Sequence, residues 1–256
     1  GSFSDQEMAL AVEYLEYLGT DKYTSSDIEK EMFKLGLSYS VYADEERIYV
    51  SLSGLEESLE EGIILFEHIL NNVKPNQKAY DNLIADIKKQ RKDNKLSKRY
   101  IAYGMREYAK HGDDSPFKYM ISEETLDTID VQRLVSKIKQ LTSYEHYVYY
   151  YGRKDFKEVS SLLDSHHKTP EVLISLVPPK DFIELDIDNN VVFFTDYDMV
   201  QSEIYMISKA SLYNQDLIPP IRVFNEYFGS GLSSIVFQEI RESKALAYSA
   251  YSYFTT

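Results

Sequence analysis

Residues Val223 to Tyr251 read VFNEYFGSGLSSIVFQEIRESKALAYSAY, and their pattern points to the fold class. Just before them, Pro219-Pro220 primes a helix that reaches Phe228, because a fixed φ and a missing N–H suit the first helical turn. Gly229-Ser230-Gly231 breaks that helix. A second one is expected from Ser233 to about Glu242, followed by a strand from Leu246 to Phe254. Val191 to Thr195 and Glu203 to Ser208 also read as strands, so this end of the chain mixes helices with sheet in one unit.

Toward the N-terminus the alternation continues. A first helix is expected over about Asp5 to Leu18, with Leu10, Tyr14, Tyr17 and Leu18 on one side and a stop at Gly19. Ser26-Asp27-Ile28-Glu29 fits a capping box for a second helix, whose stripe is Ile28, Met32 and Leu35 and whose stop is Gly36. Leu37 to Ala43 and Arg47 to Ser53 alternate with period two around Asp44-Glu45-Glu46, which reads as an antiparallel hairpin. Ser53 to Glu56 then caps a long helix with Leu55, Leu59, Ile63, Phe66, Ile69 and Leu70 on one face. Helices are expected at about Gln77 to Asn94, Lys98 to Lys110, Asp130 to Leu141 and Phe156 to Leu163, with a strand at about His146 to Tyr151. The expected class is α+β: two-layer sandwich domains, each with helices on one face of a mainly antiparallel sheet. Residues 1–165 form one domain in this reading, 166–190 a proline-containing linker, and 191–256 the start of a similar second domain. Its final strand has no helix after it, so the second domain reads as incomplete.

Composition narrows the function. A formal charge of −14 over 256 residues excludes a nucleic-acid partner as the main business of the chain, since such binding draws on clustered Lys and Arg. Lys88 to Lys98 is a local basic exception that reads as a solvated helix face. No apolar run approaches the roughly 20 residues of a membrane span. Zero cysteines exclude disulfides and thiolate metal sites. Gly1-Ser2, without an initiator Met, reads as the scar of a cleaved tag and leaves any leader open. The five histidines show no paired metal-ligand spacing except the adjacent His166-His167, which reads as exposed linker, so no metal is expected to bind here.

The quoted block resembles the signature of the inverzincin family of zinc peptidases, which includes pitrilysin, insulin-degrading enzyme and the mitochondrial processing peptidases. It joins an N-E-Y-F-G-x-G-x-S-S junction, an F-Q-E-I-R-E helix and an L-A-Y-S strand in the family's order. At the other end, Tyr17-Leu18-Gly19-Thr20-Asp21-Lys22-Tyr23 resembles the segment after the family's H-x-x-E-H zinc motif. Counting back places that motif on Leu10-Ala11-Val12-Glu13-Tyr14, where Glu13 survives and both histidines are gone. Ungapped counting puts Gln90, 76 residues after Tyr14, where the family carries its third ligand, a glutamate. A helical H-x-x-E-H needs two imidazoles one turn apart to hold zinc and a glutamate to activate its water. Leu10 has no donor atom, so the set Leu10, Glu13, Tyr14 and Gln90 is read as degenerate and the chain itself as inactive.

The resemblance implies a division of labour between two facing halves. The active half brings zinc, and the opposite half brings an arginine and a tyrosine that hold substrate. Arg241 and Tyr248 stand seven residues apart in matching context and are the candidate substrate-binding pair. Read without the family, Arg241 caps its helix and Tyr248 is one more packed strand tyrosine. The hairpin Leu37 to Ser53 is a candidate edge for pairing with an extended peptide. The expected partners are a zinc-bearing H-x-x-E-H half in the same or another chain, a peptide substrate, and a second copy of the chain through exposed sheet edges. The parent protein is then a zinc metalloendopeptidase; the alternative is a non-enzymatic scaffold resembling the core subunits of the respiratory cytochrome complex. The cellular address stays open, with a bacterial periplasm or envelope favoured over the cytoplasm.

Overall fold

The structure is a computed structural model and describes residues 5–44, 47–176, 178, 180–186, 188–198, 202–210 and 212–255. They fall into two compact units, one running up to Leu185 and including Phe193–Tyr197, the other formed by Asp186–Val192 and the residues from Asp198 onward.

In the first unit the apolar stripes predict the helices well. Helix α1 is Gln6–Leu15, with the Asp5 carboxylate accepting from the Met8 N–H, and it buries Leu10, Tyr14 and Leu15. Helix α2, Ser25–Lys34, opens on a capping box between Thr24 and Asp27, two residues earlier than the serine at 26 suggested. The reason is chemical: Thr24 offers its hydroxyl to the Asp27 N–H while the Asp27 carboxylate accepts the Thr24 N–H. Gly36 ends this segment at φ 65°, a left-handed value that costs glycine nothing.

Strands β1, Leu37–Ala43, and β2, Ile48–Gly54, form the expected antiparallel hairpin with Leu37 opposite Gly54 and Ala43 opposite Ile48. Glu45 and Glu46, the tip of the expected turn, lie outside the described residues. One face carries Leu37, Tyr39, Val41, Ile48 and Leu52 into the core. The other carries paired Ser38–Ser53 and Ser40–Ser51 hydroxyls and a stacked Tyr42–Tyr49 pair at 4.9 Å. Helix α3, Leu59–Asn72, begins after a 3₁₀ turn at Glu56–Ser58 and not on a serine cap at position 53. Next come α4, Gln77–Asn94, α5, Lys98–His111, a short α6, Glu123–Leu126, α7, Val131–Lys139, and α8, Phe156–His166. The core joins α1, β1, α3, α4 and α7, with Ile69, Leu134 and Ile138 sealed from solvent. The fold class is α+β, with helices packed on the inner face of a sheet that has two strands.

Four expected strands are not strands among the described residues. His146 to Tyr151 contributes no ladder, and a single parallel bridge joins the neighbouring Tyr144 to Ile174. Val191 to Thr195, Glu203 to Ser208 and Leu246 to Phe254 run without ladder partners. Alternating sequence supplies one face of a strand, but a ladder also needs a second backbone beside it, and period two says nothing about that neighbour. The second unit is built on α9, Ile218–Phe228, with prolines in its first turn as expected. The expected helix after Ser233 is mostly a π-helical turn, Phe237–Ser243.

Candidate functional site

The candidate pair lies in the second unit, and its geometry starts at the glycine-serine break. Gly231 takes φ 79°. Ser234 follows it fully buried, its hydroxyl donating to the Gly231 carbonyl at 3.0 Å and accepting from the Phe237 N–H at 3.3 Å. This serine restarts the helix. Asn225 and Gly229, at the end of α9, fasten the last segment of the chain. The Asn225 amide donates to the Phe254 carbonyl at 2.9 Å and accepts the Phe254 N–H at 2.7 Å, as a neighbouring strand would. Gly229 accepts the Ser252 N–H at 3.2 Å, and any Cβ at 229 would strike the Ser252 backbone.

Between these two anchors the π-helical turn carries Arg241 and ends in a reversal at Ala245, whose φ of 49° is left-handed. The Ala245 N–H donates to the Arg241 carbonyl at 3.1 Å and the Leu246 N–H to the Ile240 carbonyl at 3.0 Å. The reversal brings Tyr248 back over the arginine: the guanidinium lies 4.7 Å from the Phe237 ring centre and 5.6 Å from that of Tyr248. Tyr248 is 82% exposed, so it is not a packed core tyrosine. The ion pair of Arg241 with Glu242 is long, at 3.7 Å, and both groups are open to water, so it holds the arginine weakly. Among the described residues neither the guanidinium nor the Tyr248 hydroxyl makes a hydrogen bond. The arrangement is a cation lying over two rings, with its N–H groups and a phenol left available to an incoming acceptor.

The degenerate motif is elsewhere, in the first unit. Leu10 is buried in the core. Tyr14 is fully buried and commits its hydroxyl to the backbone of Asn76, donating to the carbonyl at 2.8 Å and accepting the N–H at 2.9 Å. Glu13 points outward, although the crowding chain and then the Glu16 charge raise its carboxyl above the usual range, against the pull of Arg91. Gln90 is exposed on α4. These residues do not fit a zinc ion: one has no donor, one has spent its oxygen, and one is a neutral amide. Among the described residues no group of three or more His, Asp or Glu gathers into a metal-sized cluster.

One reading needs correction. His166 and His167 are not exposed linker; they close α8, half-buried, with Glu60 accepting from His166 at 2.9 Å and Glu67 from His167 at 2.6 Å. Asn225, Gly229 and Ser234 shape the Arg241–Tyr248 site and were passed over, although the N-E-Y-F-G-x-G-x-S-S run contains all three. Among the described residues no helix is long and apolar enough to cross a membrane.

The comparisons agree with the resemblance. Residues 147–256 match the model of the peptidase M16 inactive domain. A peptidase M16 inactive domain from Pseudomonas fluorescens superposes with a TM-score of 0.64 at 15% identity, covering 100% of this chain and 63% of that one. A protease from Helicobacter pylori gives 0.61 at 14% identity, covering 97% and 61%. The periplasmic protease PqqL of Escherichia coli gives 0.55 at 14% identity, covering 75% and 21%. The chain thus spans under two-thirds of each of these proteins, and identities this low speak for the fold alone. No curated protein sequence matches the chain. Residues 147–256, which include Arg241 and Tyr248, are thus similar to the peptidase M16 inactive domain, and the α+β fold of the chain is shared with solved proteins of that kind.

Proposed function

We propose that this chain is the substrate-holding, metal-free half of a zinc-dependent peptidase. In this reading zinc sits on a catalytic half, in the same or a partner chain, and Arg241 and Tyr248 reach the peptide backbone near the bond being cut. The supporting observation is their juxtaposition: a half-buried arginine whose guanidinium lies over the Phe237 and Tyr248 rings, next to an exposed phenol, in the part of the chain that matches the M16 inactive domain. Both are strong donors, and donors fixed in advance hold peptide carbonyls and stabilise the oxyanion formed when metal-bound water attacks. The stacking matters because it fixes the guanidinium before substrate arrives. A bacterial periplasmic or envelope address belongs to the same proposal, supported by the periplasmic setting of the similar PqqL protease.

The test uses the assembly of this chain with its H-x-x-E-H half. Arg241→Ala and Tyr248→Phe should each lower kcat/KM for peptide cleavage by on the order of tenfold to a hundredfold, with circular dichroism unchanged. Undiminished cleavage in both variants rejects their role. A zinc-loaded assembly that cleaves no peptide at all favours the scaffold alternative.

A further inference from the structure

The first unit holds a second arrangement of side chains that the peptidase reading leaves unused. His146 follows the Tyr144 bridge, and His167 is the residue that caps α8. Their Nε2 atoms face each other at 2.9 Å, with the rings perpendicular at 88° and their centres 5.0 Å apart. Each ring is oriented from behind by an oxygen. His146 Nδ1 lies 2.6 Å from the Tyr144 carbonyl, and His167 Nδ1 lies 2.6 Å from the Glu67 carboxylate. The Glu67 carboxylate is itself held from α3, by the Asn71 amide at 3.3 Å.

A carbonyl and a carboxylate accept hydrogen bonds and do not donate them, so both Nδ1 atoms carry the proton. In the neutral rings each Nε2 is then a bare lone pair, and two lone pairs at hydrogen-bond distance repel. Something electrophilic belongs between them, either a shared proton or a metal cation. The back-side oxygens favour the cation: a ligating histidine characteristically gives its other N–H to a carboxylate or carbonyl, which fixes the tautomer and strengthens the donor. The distance is close to suitable. With Zn–N bonds of about 2.0–2.1 Å, two imidazoles on one tetrahedral ion stand roughly 3.3 Å apart, so a separation widened by under about half an ångström admits the metal. His166 stays out, because its Nε2 is engaged by Glu60.

We propose that His146 and His167 form a two-histidine site for a divalent transition ion of the zinc class, with water filling the remaining positions. Imidazole suits zinc, copper and nickel and is a poor ligand for magnesium or calcium. The absence of cysteine removes thiolate as a competing ligand. No third His, Asp or Glu among the described residues completes the set, so the site is a solvent-open clip and not a closed structural centre. Its effect is mechanical: the ion ties the segment after Tyr144 to the end of α8 and, through Glu67, to α3. The inference is independent of the peptidase reading and concerns none of Leu10, Glu13, Tyr14 or Gln90.

The experiment is a zinc chloride titration of the chain in chelator-cleared buffer, read by calorimetry and by thermal unfolding. One equivalent should bind and raise the unfolding midpoint, because an ion that binds only the folded chain stabilises it. His146→Ala and His167→Ala should each weaken binding at least tenfold, Glu67→Gln should weaken it by on the order of tenfold through lost orientation, and His166→Ala should leave it unchanged. Histidine side-chain ¹⁵N spectra of the unaltered chain give a second readout that survives a misfolded variant: zinc should shift both Nε2 signals and leave both Nδ1 protons in place. No binding, binding insensitive to both His146 and His167, or a proton shared between the two Nε2 atoms that excess zinc fails to displace would overturn the site.

Discussion

Tyr14 is where a side chain capable of chemistry has become scaffold. Its hydroxyl satisfies both backbone groups of Asn76, and its ring meets Tyr80 edge-on at 5.6 Å. Burial pushes its pKa up, opposed by the Asn76 hydrogen bond and assisted by Asp81. Asn76 in turn caps α4 by accepting from the Ala79 N–H, so the phenol fixes the start of a whole helix. Tyr14→Phe keeps the ring and removes the partner of two part-buried backbone groups, which should cost about 1–3 kcal/mol in urea unfolding. A loss under about 0.5 kcal/mol would mean that water reaches Asn76 in place of the hydroxyl. At this scale the sequence shows which residues cannot be ligands, since Leu10 lacks a donor wherever it sits. It does not show what Tyr14 does instead, because Asn76 is 62 residues away in the chain and close only after folding.

Among the elements, the hairpin was the most legible and the strands of the second unit the least. Leu37 to Ala43 alternates, its partner alternates, and two glycines flank the pair, so pattern and turn chemistry agree. Gly36 and Gly54 do more than punctuate. Gly54 has φ 143°, and a Cβ there would run into the Gly36 carbonyl and come within 2.8 Å of the Leu37 Cα, both backbone atoms that cannot swing away. Gly54→Ala should therefore destabilise the chain by about 2 kcal/mol or more, combining backbone strain with overpacking. An unfolding midpoint equal to that of the parent would show that the hairpin end relaxes freely. The reversal at Ala245 was invisible for the opposite reason: alanine has no preference for φ 49°, and only the closing bonds to Ile240 and Arg241 hold it there. The spacing of Arg241 and Tyr248 could thus be read, while the turn that makes them neighbours could not. The same limit hid the histidine pair, since His146 and His167 come from different segments and are 21 residues apart in the chain.

Over the whole molecule, acidity sets how the fold responds to pH. The chain carries 42 acidic against 28 basic side chains, yet several carboxylates are held by donors that favour their charged form. Glu56 is the strongest case: the Tyr150 hydroxyl, the Arg153 and Lys154 N–H groups and the Arg153 side chain converge on it, and its pKa falls from 4.5 to about 2. Asp27, Asp114 and Glu124 are lowered in the same unit, and Asp186 in the second. A carboxyl with a depressed folded pKa binds protons more readily when unfolded, so its contribution is complete above the unfolded value and disappears as pH falls through the folded one. Glu13 runs the other way, since its raised pKa makes the neutral form the better tolerated one in the fold. Five lowered groups against one raised carboxyl give the net sign. Urea midpoints should hold steady near neutrality and fall as pH drops from about 4.5 toward about 2, the window set by Glu56. Glu56→Gln should make that acid limb shallower while lowering the neutral plateau, because an amide cannot accept the same converging donors as a carboxylate. An acid limb equally steep in the variant would place the acid sensitivity in other carboxylates and leave the link from Glu56 to Tyr150 and Arg153 without energetic weight.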